Sequence, residues 1–249
     1  MLESAPVRNA DVRWDDFDPE RYFRENYREL RDDDRQILAL LSQHFASTSK
    51  RRPRYAHGVD VGTGSNLYPT LAMLPFCSEI TLIERSAAGI QWLSRETGSA
   101  HKDWDPFWHL LESYPRYATV EPWSEVALKT TIVQADVLKP MPGSWDLGTM
   151  MFVAESITGD MSEFRLAIKN FLGSLKPGAP FAMAFMAGSE GYSVADKWFP
   201  SVPVGRRDVA EAIAEAVDAE LVDIPIPDEG PLREGYEGMI LALGTKALT

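Results

Sequence analysis

The stretch His57-Gly58-Val59-Asp60-Val61-Gly62-Thr63-Gly64-Ser65-Asn66-Leu67-Tyr68-Pro69 decides the fold. Val59 to Val61 form a short apolar run of the kind buried in a sheet, and a glycine-rich turn follows it. A helix is expected next, over about 66–75. A second apolar run, Ile80-Thr81-Leu82-Ile83-Glu84, ends in a carboxylate. A strand, a turn that lets backbone approach a ligand, and an acid at the tip of the next strand make a nucleoside-binding βαβ unit. Glycine at 62 and 64 gives the turn its dihedral freedom and leaves room for an adenosine. Glu84 stands where it can accept hydrogen bonds from both ribose hydroxyls.

A dinucleotide fingerprint would carry a third glycine, so that a pyrophosphate could sit on the helix N-terminus. Here that position is Leu67, and Asp60 just ahead of the turn would repel the pyrophosphate. S-adenosylmethionine suits these residues better: it has no phosphate, and its ammonium and sulfonium are both cationic. An NAD-binding oxidoreductase is the rival reading, weakened by the missing glycine and by the lack of a Tyr-x-x-x-Lys pattern. A noncatalytic methyltransferase-like binding protein is a third.

The 249 residues suffice for one sizeable α/β domain with an appended subregion. A net charge of −12, from 25 basic and 37 acidic residues, argues against nucleic acid as a partner. The one basic cluster, Lys50 to Arg54, reads as a solvated linker. Cys77 is the only cysteine, so neither a disulfide within the chain nor a cysteine metal cluster is expected. His44, His57, His101 and His109 show no metal-ligand spacing, so no metal is expected. The first twenty residues have no apolar signal segment, and the longest apolar run, Ala179 to Ala187, is too short to span a bilayer. The expected setting is the cytoplasm, with no membrane partner. A monomer is the working expectation.

Pro19 to Tyr27 opens as a short helix, and a second, from about Asp33 to Phe45, puts Ile37, Leu38, Leu40 and Leu41 on one face. Residues 1–55 therefore read as a helical lid, and 56–249 as the core. Strands are expected at 58–61, 80–84, 131–135, 146–153, 179–186, 220–224 and 237–243, and core helices at 66–75, 87–97, 162–175 and 206–219. This alternation gives an α/β, Rossmann-like fold with a mostly parallel seven-stranded sheet and helices on both faces. An aromatic-rich insertion at about 98–128 carries Trp104, Trp108 and Trp123, either as anchors onto the sheet or as an aromatic wall for a substrate ring.

Five blocks in order resemble the nicotinamide, phenylethanolamine and indolethylamine N-methyltransferases, class I methyltransferases that use S-adenosylmethionine. They are Pro19-x-x-Tyr22-x-x-x-x-Tyr27, Asp60 to Tyr68, Asp136-Val137, Leu175-Lys176-Pro177-Gly178 and Phe199 to Gly205. The resemblance implies that Tyr22 and Tyr27 close over the donor and that Gly62, Thr63, Gly64 and Tyr68 hold its methionine portion. Glu84 would hold the ribose, where the family usually has aspartate, with Arg85 beside it. Asp136 and Val137 would bracket the adenine, and Met151 and Phe152 would lie beside the sulfonium. Gly89 stands where the family commonly has asparagine.

For the acceptor, the resemblance implies that Glu155 helps hold a substrate ammonium and that Tyr192 belongs to the substrate loop. Ser189, Glu190 and Phe185 fall on substrate positions, Phe185 where nicotinamide methylation relies on an aspartate. Nicotinamide is therefore not the expected acceptor. Trp14 is either a lid anchor or a wall of that site. Transfer from a sulfonium is an in-line displacement with a good leaving group, so orientation and desolvation suffice and no covalent nucleophile is needed. The expected reaction is methylation of a small apolar or aromatic metabolite at an amine nitrogen, leaving S-adenosylhomocysteine. Transfer to oxygen, sulfur or carbon stays open.

Overall fold

Apolar runs too short for helices pair into one seven-stranded sheet, ordered β3-β2-β1-β4-β5-β9-β8. The strands are β1 (Tyr55–Val61), β2 (Cys77–Glu84), β3 (Thr130–Gln134), β4 (Leu147–Met151), β5 (Pro180–Ala187), β8 (Val217–Ile224) and β9 (Gly238–Lys246). The first five run parallel, while β9 is antiparallel to both β5 and β8. The order reverses at β1 and β4, the switch point where an open α/β sheet leaves a crevice beyond its strand ends. The computed structural model describes residues 5–50, 54–98, 102–141, 144–214, 217–228, 230–233 and 235–248. Residues 51–53 of the basic cluster, and His101, lie outside the described residues.

Helices cover both faces, as the alternation predicts. On one face lie α1 (Pro19–Asn26), α2 (Asp32–Thr48), α3 (Tyr68–Met73), α4 (Ala87–Gly98), α5 (Asp105–Leu111) and α6 (Pro122–Lys129). On the other lie α7 (Met161–Ser174) and α8 (Arg206–Ile213). Alternation along β5 splits the two cores: Ala182, Ala184 and Met186 face the first, and Phe181, Met183 and Phe185 the second.

Three features differ from the sequence reading. First, α2 buries Ile37, Leu38, Leu41 and Phe45 completely within the sheet's own core, so the packing places it with the core layer and not with a lid ending at 55. Second, the helix expected to reach 219 ends at Ile213, and β8 has begun by Val217. Eight rungs of pairing between β8 and β9 outweigh the helical propensity of that alanine- and glutamate-rich stretch. Third, a hairpin of β6 (Gly191–Val194) and β7 (Lys197–Pro200) stands apart from the main sheet as a two-stranded ribbon. In the insertion Trp104 and Trp108 are buried: Trp104 packs on Phe23 and Phe107 at ring-centroid distances of 5.2 and 5.0 Å, and Trp108 on Tyr117 at 5.9 Å. They are anchors, and Tyr117 adds a 2.7 Å hydrogen bond to the Ala72 carbonyl.

Candidate active site

Beyond the C-terminal ends of β1, β2 and β4 lies an open cleft. The turn Gly62 to Asn66 forms its floor, and Glu84, Arg85 and Ser86 with Ala135, Asp136 and Val137 form one side. Met151, Phe152 and Val153 form the other, and Trp14, Phe17, Tyr22 and Tyr27 the roof.

The floor is shaped by its glycines. Gly62 has φ +67°, and a Cβ there would lie 2.6 Å from Val153 Cγ2, so any side chain would displace the wall. Gly64, at φ +52°, donates its N–H to Glu84 Oε2 at 3.1 Å. Ser86 donates its N–H and its hydroxyl to Glu84 Oε1 at 2.7 and 2.9 Å. The carboxylate is thus fixed between two loops. Burial raises its pKa, and the Ser86 and Gly64 hydrogen bonds oppose the rise. Asn66 lines the cleft, and its Nδ2 is buried without a partner.

A strap ahead of α1 crosses the adjoining side. Asn9 donates from Nδ2 to Asp136 Oδ1 at 3.4 Å and accepts from Trp14 Nε1 at 2.8 Å. Arg85 donates to the Asn9 carbonyl at 3.0 Å and pairs with Asp136 at 3.6 Å. Ser65 donates to the Pro19 carbonyl at 2.8 Å, tying the glycine turn to α1. The roof is a chain of rings, with Tyr22 edge-on to Tyr27 and Tyr192 at 6.0 and 6.1 Å, and Phe199 stacked on both Tyr192 and Trp14 at 5.6 and 5.5 Å. Phe152 holds φ +58° where β4 ends, a costly conformation for a bulky residue, on the wall of the cleft.

Most of the donor-side residues read from the sequence therefore meet in one place. Two do not reach the cleft wall. Tyr68 is fully buried, stacked on Phe107 at 5.7 Å, and lies behind Tyr27. Asp60 is buried under the turn, where its carboxylate accepts from Thr70 at 2.9 Å and Thr149 at 2.8 Å and ties β1 to α3 and β4. Burial pushes its pKa up to about 7 against those hydroxyl donors.

On the acceptor side, Trp14 and Tyr192 line the cleft, while Glu155 lies fully buried beneath it. Its Oε1 accepts from the Met186 N–H at 3.0 Å and from the Ser156 hydroxyl at 3.1 Å, and its Oε2 has no partner. Burial pushes its pKa up to about 7. Phe185 is fully buried against Phe164 on the opposite face, because one residue along a strand reverses the side chain's direction. Ser189 is buried with its hydroxyl 3.5 Å from the Gly191 carbonyl, and Glu190 is exposed. None of these three lines the cleft.

Sequence reasoning missed Asn9, whose irregular segment carries no periodic signal. It also missed a small recess, with room for about one water, that shares Tyr22, Tyr27 and Phe152 with the cleft and adds Asn26, Asp34, Met186, Leu232, Arg233 and Met239. Met186 could have been found by applying strand alternation from Phe185. Asp34 and Arg233 come from distant segments and gave no local signal. Among the described residues no group of three metal-ligating side chains occurs, and no helix is long and apolar enough to cross a membrane.

Solved structures with this architecture include the N-methyltransferase NodS from Bradyrhizobium japonicum WM9 in complex with S-adenosyl-L-homocysteine. It has a TM-score of 0.55 and 15% identity, over 87% of this chain and 90% of that one. An S-adenosylmethionine-dependent methyltransferase from Clostridium acetobutylicum ATCC 824 gives a TM-score of 0.57 at 10% identity, over 92% and 97%. At such identities the likeness is one of fold. In sequence, the chain is 25% identical to mouse phenylethanolamine N-methyltransferase over 231 residues, 79% of this chain and 72% of that protein. It is 24% identical to human nicotinamide N-methyltransferase over 172 residues, spanning 64% of each. The profile of the NNMT/PNMT/TEMT family matches residues 6–246, nearly the whole sequence, and the chain belongs to that family.

Proposed function

We propose that the cleft binds S-adenosylmethionine and that the protein methylates an amine nitrogen of a small, largely apolar or aromatic molecule. The observation that carries this reading is the clamped Glu84 carboxylate. It faces a glycine turn in which a side chain at Gly62 would strike Val153, in a cleft whose lining has Arg85 as its one cation among the described residues. The residues present fit the group. Glu84 would accept from the ribose hydroxyls, and Asp136 from the exocyclic amine of the adenine above Val137. The unpartnered Asn66 Nδ2 would donate to the methionine carboxylate. Tyr22, Tyr27, Phe152 and Met151 would close around the sulfonium and exclude water. When bound, the donor supplies a methyl on positive sulfur, open to in-line displacement.

The chain's remaining task is a proton. An alkylammonium, with a pKa near ~10, has no lone pair and must lose a proton before it attacks. Ser156 lines the cleft and its hydroxyl donates to Glu155. The amine proton would pass to Ser156 Oγ as the hydroxyl's own proton moves to Glu155 Oε1. A carboxylate whose pKa is raised to about 7 is a better base than an ordinary one. Tyr192, which donates to the Ser156 carbonyl at 3.2 Å, positions that segment. A cytoplasmic setting and a small-molecule partner suit an acidic chain whose lone cysteine is buried and free.

The test is transfer of labelled methyl from S-adenosylmethionine to a panel of amines, phenols and thiols. Label on amine nitrogen supports the proposal, and Glu155→Gln should lower kcat/KM at least tenfold, ~1.4 kcal/mol, with donor binding intact. Native turnover by that variant would remove Glu155 from the chemistry.

A further inference from the structure

The segment ahead of β9 is pinned at both ends. Arg31 donates to the Gly230 carbonyl at 2.7 Å, and the Glu237 N–H donates to the Ala187 carbonyl at 3.0 Å where β5 ends. Gly188 comes so close that a Cβ there would lie 2.8 Å from the Gly235 carbonyl oxygen. This backbone carries Arg233 to the back of the roof, beside Tyr22. Its guanidinium lies over the Tyr192 ring at 4.6 Å, donates to the Tyr22 hydroxyl and reaches the Ser189 hydroxyl at 3.4 Å. Phe199 stacks on the same Tyr192 ring at 5.6 Å. Packed by a guanidinium and a phenyl ring, Tyr192 directs its hydroxyl to the Ser156 carbonyl.

Ser156 in turn donates to Glu155, so a line of contacts runs from Arg233 through Tyr192 to the base. The groups that face Glu155 are the Met186 N–H of β5, the Ser156 hydroxyl, the phenols of Tyr22 and Tyr192, and Arg233. Of these, Arg233 is the cation. We propose that Arg233, held by its stack on Tyr192 and its bond to Tyr22, is a positioning residue that supplies the counter-charge keeping Glu155 available as a base. The inference rests on the methyl-transfer reading above and adds a residue to it. Burial drives the Glu155 pKa up, and the Arg233 charge opposes that rise. A guanidinium suits the position, because its planar fork stacks on one ring while bonding to a second side chain.

The test reads Glu155 directly and needs no acceptor. The full chain, labelled with carbon-13 at its glutamate side-chain carboxyls, is titrated by NMR; the Glu155 signal is the one lost in Glu155→Gln. In the native protein its midpoint should lie at about 7. Arg233→Met and Arg233→Gln should each raise that midpoint by about one pH unit, the low end of what a nearby opposite charge supplies. Glutamine keeps amide donors for Tyr22 and Ser189, so it is the variant to read if methionine prevents folding. Arg233→Lys should return most of the shift, because it restores the charge. A native midpoint in both charge-removing variants would overturn the inference and leave the methyl-transfer reading standing. A rise that lysine does not reverse would overturn it too, since repacking and not charge would then have moved Glu155. Failure of the native protein to bind S-adenosylhomocysteine in calorimetry would overturn the underlying reading and the inference together.

Discussion

Replacing Gly89 should weaken donor binding in the native background and be tolerated once Glu84 is shortened. A Cβ at 89 would lie 2.8 Å from Glu84 Cδ, 2.9 Å from its Cγ and 2.8 Å from Ser86 Oγ. Those contacts are closer than carbon atoms accept, and the group they push is the carboxylate held by Gly64 and Ser86. Where the resemblance implies aspartate and asparagine, the glutamate at 84 and the glycine at 89 make a matched exchange: the longer acid occupies the space that a side chain at 89 would need. Overpacking of this kind costs roughly 1–3 kcal/mol. Each charge-assisted bond to a ribose hydroxyl that is lost with it costs roughly 1.5–3 kcal/mol. Gly89→Asn should thus weaken S-adenosylhomocysteine by tenfold or more, ~1.4 kcal/mol. With Glu84→Asp, the carboxyl carbon withdraws by one bond and the clash is relieved. Calorimetric titration of the native protein, both single variants and the double variant gives the coupling, which should be about 1 kcal/mol or larger and favourable to the double variant. Additive losses would refute the matched exchange.

Three other outcomes follow from the same geometry. Because Glu155 acts as a base only when ionised, and burial raises it to about 7, kcat/KM should climb with pH and level off above that value. The limb should vanish in Glu155→Gln; an unchanged profile would exclude the relay. Asp60, also raised to about 7 in the folded state, holds a proton there that the unfolded chain has already lost, so its contribution to stability falls as pH rises from about 4 to about 7. Melting curves of Asp60→Asn should therefore gain on the native protein between about pH 4 and about pH 7, and a constant difference would contradict the buried acid. Hydrogen exchange over residues 5–27 should slow with S-adenosylhomocysteine, because the strap's partners Asp136 and Arg85 line the cleft. Equal exchange would make it a fixed appendage.

What was legible in the sequence was what depends on local pattern. The turn at Gly62 and Gly64, the acid ending β2 and the alternation of strands and helices all follow from short-range periodicity and glycine chemistry. Errors arose where long-range packing decides. Phe185 carries the right residue type for a substrate wall, but the register of β5 turns it away and presents Met186. Asp60 looked like a ligand contact because charge in sequence does not show depth; in the fold three threonines surround it. Asp34 and Arg233 are far apart in the chain, and only the docking of α2 beside the segment before β9 brings them to one recess. The lid was read as two helices, yet α2 contributes the most buried side chains of the N-terminal region and belongs to the core.

The central claim is that the cleft above β1, β2 and β4 is a site for S-adenosylmethionine, and calorimetric titration with S-adenosylhomocysteine tests it most directly. The account predicts saturable binding of one molecule per chain, at least tenfold weaker in Glu84→Ala, with no binding of NAD. Saturation by NAD, or heat of binding for neither ligand, would contradict it.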